Sequence, residues 1–255
     1  MPSGNASSRK RTTPWIAYRG PSAVDGKLIR AALYTLYSPR NQANRKTGPM
    51  AQLMIAPDEV PPHEAVNTGM DRSVCGDCRH RPALGGGCYV NVGAYFPRVW
   101  ETSSDQPQDL EGACAALRES RRPLRLGSWG DPAALPFEVV SELIDAADGH
   151  TAYTSLWRTC DPRFSEVAMA SVASQAEREE ARSAGWKTFR IRPPSGEVVA
   201  GEMICPASEE RGHVATCADC LACAGTSGGD GRRDVVIIAH GVESRRRRVL
   251  RVVDG

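Results

Sequence analysis

The stretch PLRLGSWGDPAALPFEVVSELIDAADGHTAYTSLW, residues 123–157, decides how the rest of the chain is read. PLRLGSW (123–129) is a short apolar run ending in a glycine turn, which predicts a strand. In FEVVSELIDAADG (137–149), Val139, Val140, Leu143, Ile144 and Ala147 recur at the i, i+3, i+4, i+7 spacing of one helix face. Pro136 stands at its start and Gly149 at its end, where helices commonly begin and stop. HTAYTSLW (150–157) predicts the next strand. A strand–helix–strand unit of this kind joins parallel strands through a right-handed crossover.

The pattern continues toward the C-terminus. VAMASVA (167–173) predicts a strand, and Ser174 and Glu177 have the spacing of a capping box that opens the helix QAEREEARSAG, closed by Gly185. WKTFRIR (186–192), EVVAGEMI (197–204) and DVVIIAHG (234–241) predict further strands, as do IRAALYTLY (29–37) and MAQLMIAP (50–57) on the other side. Residues 58–88, punctuated by proline and glycine, predict a long loop, and Cys88 to about Trp100 a helix limited by Pro97. The fold class expected is α/β, with a mainly parallel sheet forming a complete or partial β/α barrel; a flat doubly wound sheet is the alternative. In either, chemistry collects at the carboxyl ends of the strands, where Gly127–Asp131, Trp157–Arg158, Ser171–Ser174 and Arg190–Arg192 fall.

Composition bounds the rest. At 255 residues, 41% hydrophobic and 24% charged, the chain can bury a sizeable core. Residues 1–25, polar and basic, predict a disordered or loosely attached segment; 26–204 predict the barrel-like domain and 205–255 a cysteine-rich region with final strands and a basic tail. The N-terminal residues lack the apolar core of a signal peptide, and the run VVIIA (235–239) is too short to cross a bilayer. A cytoplasmic, reducing location is therefore expected, with no membrane partner. A net charge of +2 does not by itself imply nucleic acid. Arg9–Arg11, Arg40–Lys46 and above all Arg245, Arg246, Arg247 and Arg248 form basic runs that either meet phosphates or are simply solvated.

Seven of the nine cysteines fall into two groups. The first is Cys75-x2-Cys78-x9-Cys88; the second is Cys205-x11-Cys217-x2-Cys220-x2-Cys223. Cysteines two residues apart place both sulfurs on one side of a turn, where they can meet one metal ion or cluster. In a reducing compartment such spacing reads as metal binding before disulfides. The second group offers four thiolates, enough for a 4Fe–4S cluster or a tetrahedral zinc ion; its C-x2-C-x2-C run is commoner among iron–sulfur ligands. The first offers three. With His80 as a fourth ligand it makes a structural zinc site; alone it makes a 4Fe–4S cluster with one iron open, the arrangement a catalytic centre needs. Cys114 and Cys160 read as small buried side chains, Cys160 lying close to a strand end. Asp131, after the glycine turn, is a candidate to hold a cation or amine, or a plain turn residue. His240, at the end of an apolar strand, is a candidate catalytic group, and His213 a substitute ligand within the second group. Trp129, Tyr153 and Trp157 read as core or pocket wall.

The series VCGDC…GGCYV, LRLGSWGDPAALP, TAYTSLW, MASVAS, GWKTFRI, ICPASEE…TCADCLACAG and IIAHG resembles the phage "gene product 88" family over about residues 29–242. The resemblance implies a phage or mobile-element context and no mechanism. Ser155 and Leu156 stand where that pattern has His-Gln, and Ala173 where it has an acid. The order of elements is also similar to that of the radical S-adenosylmethionine enzymes, although their usual loop is C-x3-C-x2-C. That likeness implies a reactive cluster on Cys75, Cys78 and Cys88, with Gly127, Ser128, Gly130 and Asp131 lining the cofactor. It implies an auxiliary cluster on Cys205, Cys217, Cys220 and Cys223. The function expected is an iron–sulfur protein, S-adenosylmethionine-dependent, acting on an unidentified small-molecule or macromolecular substrate. The alternatives are a structural-zinc protein that binds nucleic acid or a host protein, and a thiol-based redox protein.

Overall fold

The computed structural model describes residues 13–38, 44–93, 95–226, 231 and 233–239. His240 and Arg245–Arg248 lie outside them. The architecture is mixed α/β. One sheet has the order β1 (Trp15–Pro21), β2 (Leu28–Tyr34), β3 (Ala51–Pro57), β4 (Leu124–Trp129), β5 (His150–Thr151). The other has the order β6 (Tyr153–Thr154), β7 (Met169–Val172), β8 (Thr188–Arg192), β10 (Asp234–Ile238), β9 (Glu202–Ile204). β1, β2 and β3 pair antiparallel; every other pairing is parallel. The two sheets meet in one extended segment. Ala152, between β5 and β6, donates its N–H to Cys223 O at 2.9 Å, and its carbonyl accepts from Met169 N at 3.0 Å.

β3 is buried along its whole length, as expected of a strand covered on both faces. The helix Phe137–Asp145 lies where its periodicity places it and buries Val140 and Leu143. Ser174 caps the helix Gln175–Ser183 by accepting from Glu177 N, but the box is incomplete. The Glu177 carboxylate accepts from Ala173 N at 2.8 Å and pairs with Arg79 in the first cysteine loop.

Several expectations are corrected. No closed barrel is present among the described residues. The segment 1–25 is not loose over Trp15–Pro21, which forms edge strand β1 with Ile16, Ala17 and Tyr18 buried. Arg19 anchors it by donating to Asp58 at 3.0 Å and to the carbonyls of Ser104 and Gln106 at 2.9 Å. The loop 58–88 folds into short helices at Pro62–Thr68 and Arg72–Cys75. The helix expected after Cys88 begins only at Phe96, with Pro97 in its first turn, where a missing N–H costs nothing. A further helix, Leu110–Ser120, starts at Asp109, whose side chain accepts from Gly112 N at 2.8 Å, a cap contributing about 1 kcal/mol. Of the strand expected at 197–204 only Glu202–Ile204 forms. No helix among the described residues is long and apolar enough to cross a membrane.

Candidate metal centre

The first cysteine loop is braced before its sulfurs are considered. Arg81 is buried and donates to Asp71 at 2.6 Å, Gly76 O at 3.0 Å and Gly69 O at 2.9 Å, pinning the turn around Cys75 and Cys78. Gly76 adopts φ 55° and ψ −135°, a conformation that side chains resist. Cys88 N donates to His80 O at 2.8 Å, which folds the far end of the loop back on its start.

Asp131 then joins this loop to two strand ends. Its N–H donates to Val74 O at 2.6 Å, beside Cys75. Its carboxylate accepts from Ala133 N at 3.0 Å, Ser155 N at 2.7 Å and Ser155 Oγ at 3.0 Å. Ser155 also opposes the rise of the Cys78 thiol pKa. Asp131 is thus a structural junction with its oxygens already engaged. Burial raises its pKa and these hydrogen bonds oppose the rise.

The second group sits elsewhere relative to the strands. Cys205 follows β9 and donates its N–H to Val236 O at 2.9 Å. The short helix Cys217–Cys220 is opened by a full capping box of Thr216 and Asp219. Cys217 N and Ala218 N donate to the carbonyls of Lys46 and Thr47, just ahead of β3, at 2.8 and 3.0 Å. The Tyr153 hydroxyl lies beside Cys223 and opposes the rise of its thiol pKa. The expectation that all the chemistry gathers at carboxyl ends is therefore half right. The first group stands at the carboxyl ends of β3, β4 and β6. Of the second, Cys205 stands at the carboxyl end of β9, while Cys217 lies ahead of the amino end of β3 and the Cys223 carbonyl accepts from Ala152 N between β5 and β6.

One cavity of about 180 Å³ runs between them. Cys75, Cys78 and Cys88 line it, and so do Cys205 and Cys217. Its wall takes alternate residues of successive strands: Arg125, Gly127 and Trp129 from β4, Tyr153 from β6, Ser171 from β7, Phe189 and Ile191 from β8, and Ile237 from β10. That period of two is how strands present one face to a shared interior. Gly127, Gly130 and Asp131 reach the cavity as expected. Ser128 does not line it: its side chain points the other way, accepting from Tyr34 Oη at 3.0 Å and donating to Leu53 O at 3.0 Å. Gly127 and Gly130 are required. With φ of 66° and 82°, a Cβ at Gly127 would meet Gly130 O at 2.5 Å, and one at Gly130 would meet Ile55 O at 2.4 Å.

No disulfide joins any of the nine cysteines. Burial pushes the Cys75 thiol well up, and Cys78, Asp71, Cys88 and Asp131 add to the rise. Burial raises Cys78, Cys205, Cys217 and Cys223 likewise. Cys78 and Cys88 raise Cys75, and Cys205, Cys217 and Cys223 are each raised by other members of the second group, so these residues are spatial neighbours as well as sequence motifs. Among the described residues, however, no three His, Cys, Asp or Glu side chains form a ready ligand set for one metal ion. His80 lines the cavity with the first group, its pKa pushed down to about 4 by burial and by Arg79, and its buried Nδ1 has no hydrogen-bond partner.

Other sequence-chosen residues fall outside the centre. His213 bonds Ala207 O through Nδ1 at 2.9 Å. Trp157 is buried beneath the Arg158 guanidinium, 3.9 Å from its ring centre. Cys114 is buried, with its thiol 3.6 Å from Glu142 O. Cys160 faces a separate cavity with Phe137 and Phe164. Sequence reasoning missed Lys46, Tyr89 and Arg125 in the cavity wall and Ser155 at its junction. The signal for Arg125 was present: in LRLGSW a charged residue shares strand parity with Gly127. Lys46 ends a basic run that reads either as phosphate-binding or as solvated, with nothing to set it apart from its neighbours.

No family model, curated protein or solved structure matches this chain.

Proposed function

We propose that this is an iron–sulfur enzyme of phage or mobile-element type, its parallel strands curled into a partial β/α barrel around the cavity. Cys75, Cys78 and Cys88 would hold a 4Fe–4S cluster, and Cys205, Cys217, Cys220 and Cys223 a second centre. The observation that carries this reading is the single cavity lined at one end by the first cysteine group and at the other by Cys205 and Cys217. A site used only for stapling loops has no need to face an interior space.

The curl is supported by arithmetic. β3 and β9 stand six steps apart in the order β3, β4, β5–β6, β7, β8, β10, β9. A flat sheet with strands about 4.8 Å apart would separate them by roughly 29 Å. Yet Cys205, which follows β9 directly, lines the same cavity as Lys46 and Thr47, just ahead of β3.

Once reduced by an external electron donor, a 4Fe–4S centre held by these three cysteines would supply one electron to S-adenosylmethionine, whose carbon–sulfur bond would break to start radical chemistry on a substrate. The chain's own residues prepare the place. Asp131 ties Val74, the neighbour of Cys75, to Ser155 at the end of β6. Gly127 and Gly130 leave the cavity wall bare of side chains beside the first group. Trp129, Phe189, Ile191 and Ile237 exclude water from the interior.

One observation favours a second reading. The orphaned Nδ1 of His80 is a donor atom in want of a partner, which suits a zinc ion on Cys75, Cys78, His80 and Cys88. Anaerobic purification followed by iron, sulfide and zinc analysis and a visible spectrum separates the two. Brown protein with several irons per chain, fewer in Cys75→Ala and Cys88→Ala, is expected. Zinc without iron, lost in His80→Ala, would replace the first reading with the second. Protein free of both metals would end both.

A further inference from the structure

Arg125 stands close enough to Cys217 to oppose the rise of its thiol pKa. It stands second in β4, lines the cavity and donates one hydrogen bond, from Nη2 to Tyr89 Oη at 2.9 Å. Among the described residues no carboxylate lies within ion-pair distance of it. Among the described residues the buried guanidiniums are matched, Arg81 with Asp71, Arg178 with Asp234, Arg190 with Glu202 and Arg192 with Glu210, whereas Arg125 is half-buried and faces the cavity. Lys46 brings a second cation to the same wall, its Nζ 5.7 Å from the Tyr89 ring centre. A guanidinium presents a planar fork that pairs bidentately with a carboxylate or phosphate.

The rest of the cavity wall is apolar. Tyr153, Phe189, Ile191 and Ile237 enclose the space above Arg125, and Trp129 lies toward the first cysteine group. From Arg125, which faces Gln52, to Gly130, which lies against Ile55, β3 advances three residues, about 10 Å at strand rise. Polar capture at one end and apolar enclosure between the ends define an amphipathic small ligand.

We propose that the cavity binds a small molecule with an oxyanion head, carboxylate or phosphate, and an apolar body. The head would sit on the Arg125 fork beside Lys46, with the body extending toward Cys75, Cys78 and Cys88. The inference deepens the proposed function, naming the substrate class of that site, but the binding itself needs no metal.

Calorimetry on the full chain tests it with three probes of like shape: 3-phenylpropionate, phenyl phosphate and the neutral 3-phenylpropanol. Metal is analysed on the same batches. At least one anion is expected to bind ten-fold or more tighter than the alcohol; which one does so distinguishes carboxylate from phosphate. Arg125→Met should remove that preference and leave metal content unchanged. Equal binding of all three probes overturns the proposal, and so does an undiminished anion preference in Arg125→Met. Loss of metal in Arg125→Met also overturns it, because Arg125 would then serve as a counter-charge to the second cysteine group. The comparison within the unaltered chain decides the matter even if the variant fails to fold. Protein without metal that still prefers the anion refutes the metal reading and sustains this one.

Discussion

Replacing Glu202 should cost more than any exposed charge in the molecule. Its side chain is fully buried. Arg190 donates to it bidentately, both contacts at 2.6 Å, Val199 N donates at 3.0 Å, and Arg178 Nε lies 3.5 Å away. Glu202→Ala would leave the Arg190 guanidinium enclosed with only the Glu197 carbonyl, 2.9 Å away, as an acceptor. Breaking a buried pair from one side costs about 3–5 kcal/mol, because the remaining charge is uncompensated. At roughly 2–4 °C per kcal/mol for a chain of this size, Tm should fall by about 6–20 °C. The double variant Glu202→Leu, Arg190→Met should recover most of that loss, since apolar replacement of a whole pair is often neutral. Burial alone would raise the Glu202 pKa, but Arg190 and the Val199 N–H hold it below the ordinary carboxylate value. A depressed value means that the stabilisation is present above pH of about 4.5 and lost as pH falls through the native pKa. The gap in Tm between the unaltered chain and Glu202→Gln should therefore narrow in acid. Differential scanning calorimetry reads all three. A fall below about 3 °C in Glu202→Ala, or a gap that widens in acid, refutes the reasoning.

Two further outcomes follow from single contacts. Gly130→Ala must take φ of 82° and place its Cβ 2.4 Å from Ile55 O, so about 2–4 kcal/mol of stability should be lost. Gly26→Ala, at φ 74° with nothing within 4 Å, should lose only about 1 kcal/mol in the same urea titration; equal losses would mean that crowding at Gly130 relaxes freely. Burial pushes the Tyr34 phenol up to about 12, with Ser128 opposing. A raised native value gives stabilisation that is complete below pH of about 10 and lost as pH rises toward 12, on the order of 2–3 kcal/mol. Tyr34→Phe should lose about 1 kcal/mol at neutral pH and show a shallower alkaline decline, so parallel declines in the two chains would contradict it.

The repeating βα pattern was legible because its signals are local. Val139, Val140, Leu143 and Ile144 mark a helix without reference to anything else, and Ser174 marks the start of the next. The long-range placements were not legible. WIAYRGP ends in Gly20 and Pro21 and follows a polar basic run, so nothing near it announces a strand; β1 forms because β2 offers an edge and Arg19 finds Asp58. Ser128 and Gly127 are neighbours in a turn that sequence reads as one unit. Only the bulge in β4, where Gln52 and Met54 face Arg125 and Trp129, sends Ser128 to Tyr34 and leaves Gly127 in the cavity.

The same distinction bears on the cysteines. Spacing identified both groups but not their relation, since Cys88 and Cys205 are separated by more than a hundred residues. Their meeting across one cavity follows from where chain segments leave the sheets. The first loop departs from the carboxyl end of β3. The second returns after β9 to the amino side of β3, held there by the carbonyls of Lys46 and Thr47 and by Ala152 N. That return carries Cys217 and Cys223 past Arg125 and Tyr153, residues that no motif marks. A centre assembled from motifs alone would consist of thiols. The folded chain adds two cations and a wall of aromatic and branched side chains between them, which is the composition of a binding cavity and not of a loop staple.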